Sequence, residues 1–353
     1  MKKLLLSLIA VAVGTLSSFA QSDLVATLSH GSSLSTFSGI DALAEAYAAA
    51  AEGDVITLSP GVFNAVSIEK AITVRGAGMQ PMESNGYVVT QLANNITINV
   101  PSGASSTLTI EGIQFLGNLE VYGDNLAPVT FSKSRFDGAV NGWGISMNAH
   151  SCVFSNALYA WYSKSSVYKN TTLNCFNSVI LNAQSNGYYQ SSSNAVVAKI
   201  VATNCLVNIE GNKVPYCGFT NCIITSEPSY SGDNPLPETC TANKCIGIDS
   251  YATPNLFKNI INPSNVMVEG TGSAAFTPIF KTLTMLKDNP AMTETFELTE
   301  TAAATYLGDD GTQVGIYGGT NPFNPTPTNP QVKKFTVNST TDGDQLKVKI
   351  NVE

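Results

Sequence analysis

Five cysteines of the 353-residue chain, Cys152, Cys175, Cys205, Cys222 and Cys245, each open or sit inside a short apolar run, and they follow one another at intervals of 23, 30, 17 and 23 residues. A recurrence near 23 residues is the mark of a stacked-repeat architecture, in which each unit buries its apolar face against the next. Cys217 and Cys240 each precede Cys222 or Cys245 by five residues, so YCGFTNCIIT and TCTANKCIGI read as successive copies of one unit. The longest interval contains the polar run 185–193, which reads as a loop inserted at a corner.

Side chains at equal register on stacked strands point the same way about 4.8 Å apart. That spacing favours a ladder of small buried thiols and makes disulfide torsions hard to satisfy. Two other readings stay open: a disulfide, for which Cys217 and Cys240 are the best placed, and a metal site. With only His30 and His150 in the chain, few histidines are on hand for a metal.

Residues 42–78, ALAEAYAAAAEGDVITLSPGVFNAVSIEKAITVRGAG, define how the repeat begins. Residues 41–51 are strong helix formers, with Asp41 placed as an N-cap, Leu43, Tyr47 and Ala50 on one face, and Gly53 as the stop. Three β-branched runs follow, 55–58, 66–68 and 72–74, separated by Ser59-Pro60-Gly61 and closed by Gly76-Ala77-Gly78. This stretch, together with residues 107–115 (TLTIEGIQF), resembles the pectin-lyase-like superfamily of right-handed parallel β-helices. The resemblance implies an all-β fold, a right-handed parallel β-helix, whose first open coil is covered by a short N-terminal capping helix. Counting runs from Val55 to Tyr317 gives roughly 11 coils, a rod on the order of 50 Å.

Residues 1–20 carry Lys2 and Lys3, an apolar core and a small-residue end, and read as a signal peptide. The remaining chain is then exported, to the periplasm, the cell surface or the medium, with no membrane span and as a monomer. It holds 16 Lys and Arg against 26 Asp and Glu, a balance that excludes nucleic acid and anionic membrane as natural partners. The β-helix is expected over 21–320, its last coil at 309–319 resembling those of β-helix proteins exported by Bacteroidetes. A stiff linker with four prolines occupies 321–331, and an alternating strand pair occupies 332–353.

Many relatives in the superfamily are polysaccharide lyases or hydrolases. A lyase needs a positioned Lys or Arg base and a group to neutralise the uronate carboxylate, commonly calcium. Lys133, Arg135 and Asp137 alternate and so are expected to share a face, with Lys164 and Lys169 one coil on. Tyr162-Ser163-Lys164-Ser165-Ser166 followed by residues 170–174 (NTTLN) resembles the alginate lyase and chondroitinase B family, which implies Lys164 as base. The chain departs from that family where its calcium-binding glutamates would stand, since residues 157–161 are ALYAW. It also lacks the Gly-His-Gly of polygalacturonases. Asp137, Asp309 and Asp310 are the candidate calcium ligands; the Asp-Gly at 310–311 equally suits an ordinary turn. For Lys133, Arg135 and Lys164 the alternative role is a solvated face.

Aromatic residues concentrate at Trp143, Tyr159, Trp161, Tyr162, Tyr168, Tyr188 and Tyr189. Outward aromatics on consecutive coils form a platform on which sugar rings stack, and Trp143, Tyr159, Trp161, Tyr162 and Tyr188 are the expected glycan-binding residues; burial is their alternative fate. Three functions follow: a glycan-binding β-helix, a calcium-dependent polysaccharide lyase, and a structural or adhesive rod.

Overall fold

The computed structural model describes residues 24–80, 89–101, 107–190, 195–209, 213–226, 235–249, 256–260, 262–268, 273–283, 294–328, 332–337 and 348–352. The expected signal peptide and residues 191–193 of the polar run lie outside them. The protein is mainly β, and most of its strands join one large sheet through parallel pairings.

Three ladders of parallel strands carry the fold. The first stacks Val55–Leu58, Thr73–Arg75, Leu108–Glu111, residues 129–132, residues 146–150, Thr171–Phe176, residues 198–203, Cys217–Thr220 and Thr241–Asn243. The second stacks Gly61–Asn64, Thr90–Ala93, Ile113–Phe115, Arg135–Phe136 and the starts of later strands up to Val266–Met267. The third runs through Ile96–Asn99, residues 119–122, residues 140–143, residues 158–161 and residues 183–185. Alternating side chains point inward and form one continuous core, with Phe115, Phe136 and Phe154 stacked ring on ring at 4.9 and 4.8 Å.

From Gly112 onward the turn between the first two ladders is the same in seven successive passages. Gly112, Lys133, Ser151, Asn177, Asn204, Asn221 and Lys244 all adopt positive φ, between 47° and 69°. From Gly112 to Asn221 each of these residues donates its N–H to a carbonyl of the following coil. Asn tolerates this conformation better than most residues, which is why it fills the corner three times in succession.

The residue after the corner explains most of the cysteines, and it corrects the expected repeat. In register down this column stand Ser134, Cys152, Ser178, Cys205, Cys222 and Cys245. Each hydroxyl or thiol donates to the carbonyl two residues earlier, at 2.8 to 3.5 Å. The N–H groups of Cys152, Ser178 and Cys205 in turn donate to the side chain of the next coil. The column therefore selects a small side chain with both a donor and an acceptor, which serine and cysteine supply alike. Cys175 belongs elsewhere: it lies in the first ladder between Ala149 and Ala202. All seven cysteines are free and buried, with Cys217 and Cys240 side by side at the start of their strands.

The residue that follows each column member from Cys152 onward, Val153, Val179, Leu206, Ile223 or Ile246, points outward, yet all five are buried. They are covered by the C-terminal part of the chain, whose Phe276, Ile279, Phe280, Val314, Ile316 and Phe323 complete a second apolar cluster. From there residues 309–328 run back along the corner. Asn243 Nδ2 donates to Asp309 at 2.6 Å, Asn177 Nδ2 to the carbonyls of Ile316 and Gly318 at 2.9 and 2.7 Å, and Asn324 N to Ser151 Oγ at 3.2 Å. Thr328 then reaches Glu111 at 2.7 Å. Residues 321–328, of the linker expected over 321–331, lie against the body of the sheet, their prolines compatible with a strap that needs no strand pairing.

Other expectations near the start also shift. The helix Ala42–Ala49 forms and buries Ala42, Leu43 and Ala46, but Asp41 makes no cap hydrogen bond and instead accepts from Asn64 Nδ2 at 2.7 Å. The second early strand is Gly61–Asn64, and residue 68 contributes only a bridge to Ile98. An unforeseen hairpin, Val25–His30 with Ser33–Ser38, pairs antiparallel with Val55–Leu58 and covers the first edge. Gly187–Gln190, expected in a loop, is a strand antiparallel to Ala195–Thr203. Val332–Val337 and Val348–Val352 pair antiparallel with each other.

Candidate functional site

On the outer face of the third ladder three strands align in register: Glu120 with Asn141 and Tyr159, and Tyr122 with Trp143 and Trp161. Alternation along each strand makes this a two-by-three patch, polar in one row and wholly aromatic in the other. The hairpin Ser163–Lys164 with Val167–Tyr168 rises beside it. Together Glu120, Tyr122, Asn141, Trp143, Trp161, Ser163 and Lys164 enclose an open recess of about 280 Å³.

Within the recess, Glu120 accepts from Tyr122 Oη and from Asn141 Nδ2, the latter at 2.6 Å. Burial, reinforced by that hydrogen bond to Glu120, pushes the Tyr122 phenol well above its ordinary pKa. Trp161 Nε1 donates to Asn141 Oδ1 at 3.4 Å, and its ring is 40% exposed. Trp143 is tucked deeper: Tyr122 meets it edge to face at 6.3 Å, Lys169 Nζ sits 4.3 Å from its ring centroid, and its Nε1 is buried without a partner. Lys169 is fixed by the Gly123 carbonyl and Asp124, at 3.0 and 3.1 Å. Gly144 permits this closeness, because a Cβ there would lie 2.4 Å from Gly123 O and its φ is 69°.

The expected aromatic platform is thus two patches. Trp143, Tyr159 and Trp161 belong to the recess wall and rim. Tyr162 stacks instead with Tyr168 and Tyr189, whose rings lie 4.0 Å apart, and Tyr188 leans on Tyr216 at 5.9 Å. Sequence reading missed Glu120, Tyr122 and Asn141. Their signal is the tetrapeptide series Leu-Glu-Val-Tyr, Val-Asn-Gly-Trp and Leu-Tyr-Ala-Trp ending at residues 122, 143 and 161, an apolar–variable–small–aromatic repeat.

The expected basic cluster is dispersed. A corner at Lys133, with φ 49°, breaks the alternation that would have put it beside Arg135. Lys133 lies within 4.0 Å of Glu111 and lines a separate recess of about 560 Å³ with His150, Phe176 and the strap. Arg135 is 2% exposed and pairs with Asp137 at 2.7 Å. Lys164 lines the aromatic recess, with Nζ 3.2 Å from the Tyr122 ring centroid, and Lys169 lies against its Trp143 wall.

Calcium does not fit the candidate ligands. Asp137 spends one oxygen on Arg135 and the other on Gln114 Nε2 at 2.5 Å. Asp309 is held by Asn243, and Asp310 accepts from the N–H and hydroxyl of Thr312, which hold its carboxyl below the usual range. Among the described residues no three His, Cys, Asp or Glu side chains converge on one point. The chain matches no protein-family model, no curated protein and no solved structure.

Proposed function

We propose that the chain is an exported right-handed parallel β-helix of the pectin-lyase-like kind whose outer recess binds glycans as a monomer. Three parallel ladders joined by a recurring corner support the solenoid, and its hand follows from the strong preference of parallel crossover connections. The observation that carries the binding reading is the aromatic row of Tyr122, Trp143 and Trp161 beside the polar row of Glu120, Asn141 and Tyr159. A pyranose offers the same division, an apolar ring face and a hydroxyl edge, so the ring lies on Trp161 while Asn141 and Glu120 take hydroxyl groups. Its recess is sized for one or two sugar units, and longer chains would continue over Tyr159.

The position of Lys164 at this recess favours one second reading, a polysaccharide lyase. There the neutral amine takes the proton α to a uronate carboxyl, a C=C bond forms and the glycosidic oxygen departs. Purified protein incubated with alginate, pectate, chondroitin sulfate and heparin, with and without calcium, and passed over columns of these and of neutral and amino-sugar glycans, separates the two. Retention on a glycan column, lost in Trp161→Ala, with no rise in ultraviolet absorbance is the expected result. A rise abolished by Lys164→Ala would replace binding by catalysis, and absence of retention on every glycan would end both.

A further inference from the structure

The aromatic recess already holds a cation. The Lys164 ammonium lies over the face of Tyr122 at 3.2 Å, where the negative face of the ring attracts it. It is delivered by a two-residue hairpin turn, Ser165-Ser166, with φ of 50° and 62°. Such a turn ordinarily takes Asn-Gly, and two serines hold it at a conformational cost, so this arm is not locked by its own backbone. In the same recess the Glu120 carboxylate accepts two hydrogen bonds and forms no ion pair among the described residues. A carboxylate and aromatic rings facing one small space make a receptor for ammonium, and a chain of net charge −8 draws cations toward it.

We propose that this recess is an aromatic cage for a protonated amine, occupied in the free protein by the ammonium of Lys164, and that the glycan it takes carries free amino sugars. The inference rests on the glycan-binding reading above. Displacement of Lys164 lets the sugar ammonium sit over Tyr122 and reach Glu120, while the pyranose face covers the exposed ring of Trp161. A uronate in the same place would bring its carboxylate against Glu120, and like charges in a shared recess repel. N-acetylation removes the charge and adds bulk, so acetylated chains lose the cage contact.

Calorimetric titration of the whole protein with three oligosaccharides, of glucosamine, N-acetylglucosamine and galacturonate, tests this. The glucosamine oligomer is expected to bind best, Lys164→Ala to bind it about tenfold more tightly, and Glu120→Gln about tenfold more weakly. Lys164→Met, which fills the same space without charge, should behave as Lys164→Ala does, excluding a packing effect. Weaker binding in both Lys164 variants, or equal affinity for the acetylated or acidic oligomer, overturns the cage. Should all three oligomers bind alike and be lost in Trp161→Ala, the cage falls and the glycan reading stands. If none binds wild type or Lys164→Ala, the cage is likewise overturned.

Discussion

Trp143 and Trp161 stand opposite each other in register on neighbouring parallel strands, and Trp161 is the more exposed of the two. The ring of Trp143 is spent on Tyr122 and the Lys169 ammonium. The two tryptophans of the chain therefore serve different ends. Trp161→Ala is expected to weaken glycan binding by roughly 2 kcal/mol with an unchanged melting temperature. Trp143→Ala should lower stability by about 2–3 kcal/mol and disturb binding only through Tyr122. Urea denaturation beside affinity electrophoresis checks both.

The corner column predicts which cysteine substitutions are tolerated. Cys205→Ser and Cys222→Ser keep the donor and acceptor that Ser134 and Ser178 supply at equivalent positions, and should be better tolerated than the alanine variants. Replacement by alanine leaves the N–H of Ser178 or Cys205 without its acceptor and takes one of two hydrogen bonds from the corner carbonyl, at about 1–3 kcal/mol. Thermal melts of the four variants give the comparison.

Thiol chemistry follows burial. Desolvation pushes Cys152 up to about 12 and Cys175, Cys222 and Cys245 well above their ordinary value, so thiolate is scarce. Cys240 goes the other way, its pKa lowered by the hydrogen bond from Cys217. Alkylation of the folded protein in mild alkali should give at most one adduct, at Cys240, and seven after unfolding, read by mass spectrometry.

Asp54 ties the first hairpin to the helix. It accepts from Ala51 N at 2.8 Å and meets His30 Nδ1 at 2.8 Å; the Ala51 N–H, ahead of the imidazole, holds its carboxyl below the usual value of 3.8. Because the folded pKa is the lower one, this stabilisation is complete above the unfolded value and is lost as pH falls through the folded value. Asp54→Asn should therefore cost stability near neutral pH, and the gap to wild type should close below about pH 3. Denaturant midpoints across that range test the sign.

Asn177 ties down the strap through two buried hydrogen bonds, to the carbonyls of Ile316 and Gly318. Asn177→Ala is expected to destabilise the protein by about 2–3 kcal/mol. It should also raise amide exchange across residues 314–324 before the core strands respond.

The repeating core was legible because a buried parallel strand writes a dense apolar run, and because small corner residues recur once per coil. The register was less so. Serine and cysteine share the column after the corner, so counting cysteines alone skipped Ser134 and Ser178 and admitted Cys175. At the site, Trp143, Tyr159, Trp161 and Lys164 could be found as an aromatic concentration with a neighbouring base. Glu120 and Asn141 could not, since their role depends on an alignment across coils that vary in length. Arg135 looked available because nothing local to it reveals that it lies buried between Gln114 and Val153 of the neighbouring strands, its charge met by Asp137. The strap was hidden for a plainer reason: its hydrogen bonds join residues as far apart as Glu111 and Thr328.

Those long-range bonds impose an order on biogenesis. Every strand of the parallel ladders is synthesised before residues 309–328 exist, so the outward row of Val153, Val179, Leu206, Ile223 and Ile246 waits without the cover that Val314, Ile316 and Phe323 supply. The strap then acts as a zip, fastened from the last strands of the parallel ladders toward the first. A chain that stops short of Asp309 would leave open the part of that apolar seam which Val314, Ile316 and Phe323 cover, and the cell could recognise an unfinished copy by it.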